Sequence, residues 1–224
     1  MRRTRPGRTG ERHWRGGFYE LVLLLDDGDE ERLGEGVKAL AAAAGLSGAT
    51  IVTAAGPVAP DLTTHEGQRL AAVALAQGRQ LRGRVLLPDA RESACGVLLL
   101  RDAEDAVEAP GAEQVGAVAR AGHSLVLFLP LAGLASAGVD VGGFPFGDES
   151  GGESLAWRRP LDEWLARIGR VVHASVPFRR AVIGFDVAGD DELPVVTGRS
   201  APAPRDRAFL VPEPDGLVYV AADV

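Results

Sequence analysis

Five acidic residues, Asp26, Asp27, Asp29, Glu30 and Glu31, stand directly behind the apolar run "LVLLL" in the stretch "LLLDDGDEERL". Carboxylates gathered at the C-terminal end of a strand suit a magnesium ion or a phosphoryl group with its metal, because hard cations take oxygen ligands. Asp27 and Asp29, joined by the distant Asp186, are therefore the candidate catalytic residues of an acid-dependent small-molecule hydrolase or phosphoryl-transfer enzyme. The same spacing serves a helix start. Asp27 and Glu30 stand in capping-box relation, and acids in a first helical turn complement the helix dipole. No Walker-type lysine in a glycine-rich loop and no G-x-G-x-x-G accompanies the cluster, which favours the capping assignment.

Other chemistry finds less support. The histidines at 13, 65, 123 and 173 are too scattered for a local metal site, and Cys95 is a single cysteine without a thiolate partner. "DVAGDDELPVV" lacks the ligand register of a calcium loop, so neither metal nor cofactor is expected. Ser124 follows His123, but neighbours in sequence cannot meet as nucleophile and base, and no G-x-S-x-G elbow occurs.

The segment "GGFPFGDESGGESLAWRR" mixes aromatic anchors with acids in a glycine-rich setting. Phe144, Phe146, Asp148, Glu149 and Trp157 are the candidate binding residues, since a desolvated aromatic on a loop can dominate an interface. Acids flanking aromatics suit a basic protein partner, while a specific nucleic-acid partner is not expected.

These residues need a scaffold, and 224 residues with 46% hydrophobic content can build one. Residues 1–17 hold six of the 24 basic residues and one of the 31 acidic ones, so the rest of the chain is more acidic than the net charge of −7. That segment is expected to be a disordered basic tail, dispensable for folding. No apolar run reaches the length of a bilayer span, which with the lone cysteine points to a cytoplasmic protein without membrane contact. Lys38 is the only lysine amid abundant Arg, Ala and Gly, a bias associated with bacterial GC-rich coding.

Periodicity predicts a strand at 18–25, a helix from about 28 to 44, a strand at "ATIVTAA", and a helix capped by Thr63 with Leu70, Val73 and Ala74 inward. Strands at 84–87 and 96–100, a short helix at 112–121 and a strand ending at Pro130 follow. Pro160 suits the first turn of the strongest amphipathic helix, which presents Trp164, Leu165, Ile168, Val171 and Val172. Strands at "AVIGFDV" and "LPVVTG" and a closing hairpin through 213–216 complete the pattern. The expected fold is α+β, with mixed or largely antiparallel sheets and helices packed on one face; recurring helix–strand units leave two similar lobes as an option. Its divisions are an N-terminal lobe at 18–135, a glycine-rich loop or linker at 136–158 and a C-terminal lobe at 159–224. The expected function is noncatalytic protein binding or regulation, of inhibitor or immunity type.

Overall fold

A computed structural model describes residues 11–14, 16–25, 30–101, 123–141, 151–188 and 205–224, with backbone alone at 11–12, 30 and 151–154. The chain is a mixed α+β fold built on one antiparallel sheet. Its strands are β1 (Phe18–Leu25), β2 (Ser47–Thr53), β3 (Gly56–Val58), β4 (Leu81–Leu86), β5 (Glu92–Arg101), β6 (His123–Pro130), β7 (Arg180–Phe185), β8 (Ala208–Glu213) and β9 (Gly216–Val220). Their order is β3-β2-β4-β5-β6-β1-β7-β8-β9, so strands from both sides of the 136–158 segment join in one sheet. The helices are α1 (Glu30–Ala44), α2 (His65–Ala76), α3 (Leu131–Ser136) and α4 (Gly151–Ser175).

The sequence of β1 explains its central place. Alternate residues Tyr19, Leu21, Leu23 and Leu25 enter the core shared with α1, α2 and α4, while Val22 joins Val126, Phe128, Val182 and Phe209 on the opposite face. A strand buried on both faces reads as a continuous apolar run, as "LVLLL" and "SLVLFL" do. Gly96 lies across from Phe128 in the β5–β6 register, and a side chain at 96 would overlap the Phe128 ring. The missing Cβ therefore gives the ring its seat against the sheet.

Helix boundaries follow local chemistry, and both boundaries and buried faces differ in places from the periodicity. α1 ends at Gly45, whose φ of +64° and the bonds Gly45 N to Ala42 O (3.1 Å) and Leu46 N to Ala41 O (2.9 Å) close the last turn. α2 is capped by Thr64 rather than Thr63: its hydroxyl accepts from Gly67 N at 3.1 Å, because Asp61 holds the Thr63 hydroxyl at 2.6 Å. Its buried side is Ala71, Ala72, Ala74 and Leu75, and Leu70 is 43% exposed. Small residues win that face because α2 packs closely on α1, where a Cβ at Gly34 would stand 3.9 Å from the Ala72 methyl.

α4 begins ahead of Pro160 and runs through it, so the proline lies inside the helix rather than in its first turn. The buried stripe is Leu161, Leu165, Ile168 and Val172, and Val171 is exposed. The expected helix at 112–121 and strand at "LPVVTG" lie outside the described residues. No described helix is long and apolar enough to cross a membrane.

Candidate functional site

The sequence-designated residues fall in two groups. Asp27, Asp29, Phe144, Phe146, Asp148 and Glu149 lie outside the described residues, as does the Asp27–Glu30 side-chain cap; Asp186 and Trp157 are described. Asp186 follows the end of β7 rather than sitting within a strand, at φ +44°, and is exposed. Its carboxylate accepts from Phe18 N at 2.8 Å and its own N–H donates to Phe18 O at 2.9 Å. Asp186 thus continues the β1–β7 pairing by one residue, and a short polar side chain tolerates the left-handed backbone there.

Two residues on, the same seam carries a carboxyl that sequence reasoning passed over. Glu20 is buried on the face opposite the helices, across from Phe128 on β6 and Gly184 on β7. Its Oε2 accepts from Ala188 N at 2.8 Å. Burial is the main cause that pushes its pKa up to about 7, with the nearby Asp186 charge adding to it and backbone N–H groups opposing. The sequence signal was available: one glutamate inside "FYELVLLL".

The other face of β1 holds a second polar tie. The Tyr19 hydroxyl donates to Asp162 of α4, and both residues are buried. Burial raises the Asp162 pKa to about 6 against the lowering effect of the Tyr19 bond, and raises that of Tyr19 well above the usual phenol value. Trp157 stands edge-on to Tyr19, with centroids 5.4 Å apart. One turn from Asp162, the buried Arg158 donates to Asp206 O at 2.7 Å and to Val224 O, fastening the C-terminal strands to α4. Arg170 stacks on Tyr219 of β9 at 5.6 Å. Trp157 therefore belongs to a packed polar–aromatic seam.

The remaining sequence candidates are dispersed. His13, His65, His123 and His173 lie on different elements, and His173 packs on Phe178 at 4.6 Å, with burial lowering its pKa. His173 also lies in the last turn of α4. Cys95 is fully buried on β5, and desolvation raises its thiol pKa. Among the described residues, no group of three or more His, Cys, Asp or Glu side chains could hold a metal ion.

The candidate site is a groove of about 370 Å³ on the sheet face opposite the three longer helices. Its floor is β4, its rims are the β2 bulge and the start of β5, and its end wall is α3 with the single turn Glu11–Trp14. An extra residue between Ser47 and Thr50 shifts the register of β2 against β4, and Gly48 takes φ +59° there. Arg82 and Arg84 project from the same face of β4. The Arg82 guanidinium lies 4.5 Å from the Trp14 ring centre, and its Nε and Nη2 donate to Gln80 Oε1 at 3.1 and 3.0 Å. Trp14 also meets Phe128 edge-on at 5.9 Å. Arg84 pairs with Glu92.

Four of the 17 residues expected as a dispensable tail thus form a turn whose His13 and Trp14 line this groove. The sequence hint was the sole tryptophan among arginines and glycines; its distant support, Phe128, was not visible. The groove offers cationic and aromatic contact in a fixed geometry. No protein-family profile, curated protein or solved structure matches this chain.

Proposed function

We propose that this chain is a noncatalytic protein-binding or regulatory protein, of the inhibitor or immunity kind. The observation that carries this reading is the groove beside Trp14, where a guanidinium is held between an aromatic face and a fixed amide acceptor. Aromatic–arginine pairs of this sort make interface anchors, since they offer large contact area at little further entropic cost. The acids point the same way: Glu20, Asp162 and Asp186 each accept a hydrogen bond that ties one element to another. The aromatic and acidic segment around Phe144, Phe146, Asp148 and Glu149 belongs to this proposal as a second contact region, suited to a basic partner. Cytoplasmic residence belongs to it as well, with Cys95 kept as a buried thiol.

Selection from a random displayed-peptide library tests the reading. The intact protein should enrich a consensus, and Trp14→Ala should weaken the selected peptide by about tenfold or more. Absence of enrichment over an unrelated acidic protein overturns the proposal, as does turnover of simple ester or phosphoester substrates that disappears in Asp186→Asn.

A further inference from the structure

Charge sets the groove apart from the rest of the molecule. The chain carries a net charge of −7, yet the groove floor presents two arginines, with His13 on one wall and Glu92 on the rim. Arg82 and Arg84 are two residues apart on one strand, so their Cα atoms are separated by about 7 Å, the repeat of alternate side chains in any extended chain. An extended segment running along β4 would therefore meet the two guanidinium groups with every second side chain.

Resting on the protein-binding reading above, we propose that this groove takes an extended peptide with acidic residues at alternating positions, Asp/Glu-x-Asp/Glu. The two arginines have distinct parts. Arg82 is oriented before any ligand arrives: Trp14 covers one face of its guanidinium, and Gln80 takes Nε and one Nη2 hydrogen. Its five donors form a rigid fork, so Nη1 keeps a fixed direction for a carboxylate. Arg84 already holds a carboxylate, that of Glu92, at the rim of the groove. This exposed pair is weak enough to exchange for a ligand acid. Glu92 thus acts as an internal competitor, and its charge works against a dense polyanion.

The proposal separates from generic electrostatic attraction by register. Fluorescence anisotropy with the full chain would compare a labelled peptide carrying three glutamates at alternating positions with three controls: the same residues with glutamates contiguous, a glutamine version, and an oligothymidylate of similar length. The alternating peptide should bind best, and raising salt from low to physiological strength should weaken it. Arg82→Gln and Arg84→Gln should each weaken it by about five- to fiftyfold, while Glu92→Gln should tighten it by about threefold. A gain in Glu92→Gln cannot come from misfolding, so that variant protects the test. Equal binding of the glutamine or contiguous peptide, tighter binding of the oligothymidylate, or no gain in Glu92→Gln overturns the proposal. A library consensus without acids, still dependent on Trp14, removes the acidic ligand and leaves the protein-binding reading standing. Absence of any consensus removes both.

Discussion

Glu20 and Asp162 each contribute more stability in acid than at neutral pH. Each carboxyl has a raised native pKa, about 7 for Glu20 and about 6 for Asp162, against ordinary values of 4.5 and 3.8. The native state holds those protons more tightly than the unfolded chain does. Their contribution is complete below the unfolded values and is lost as pH rises through the folded ones. Between pH 4.5 and about 7, Glu20 alone should therefore withdraw on the order of 1–3 kcal/mol. Urea unfolding at a series of pH values should show stability falling across that window, and Glu20→Gln, which keeps an acceptor for Ala188 N, should flatten the profile. A rise in stability over the same range, unchanged in the variant, would refute the assignment. The sequence sets Glu20 inside an apolar run, but its burial depends on Gly184 and Phe128 from strands far away. Asp162 and Arg158 were harder still. On a helix they resemble solvent-facing charges until Tyr19 and the carbonyls of 206 and 224 are brought to them.

Elements with strong local signals were legible, and those fixed by distant packing were not. Gly45, the 213–216 turn and the long apolar strands follow from glycine conformation and hydrophobic runs, and all occur as expected. The phase of α2 was misread because alanines, which contribute little to an apolar stripe, are what the close α1 contact selects. The short β3 was invisible: three residues, one of them proline, carry too little pattern. At Pro160 the usual preference for a first turn lost to the continuous helix around it. That helix forgoes one backbone hydrogen bond there, and Pro160 is exposed. Pro160→Ala should raise unfolding free energy by about 1–3 kcal/mol in denaturant titration. A loss of stability would mean instead that the proline sets the angle at which Leu161 and Leu165 enter the core.

For the molecule as a whole, the groove and the core are separable. Trp14 packs on Phe128 and the face opposite the helices, but the larger core that β1 shares with α1, α2 and α4 does not include it. A chain beginning at Phe18 should remain cooperatively folded, lose about 1–2 kcal/mol from the missing tryptophan contacts, and lose peptide binding. Thermal unfolding and anisotropy together check this, and a shortened chain that binds normally would detach the groove from the function. The central place of β1 has another consequence, in time. Its two partners, the strands at 123–130 and 180–185, are both synthesised after it, so its edges stay unpaired until they emerge. Such non-local pairing slows folding and leaves an apolar strand uncovered while the rest of the chain is being made. A nascent chain therefore carries an apolar strand with at least one open edge until β7 emerges.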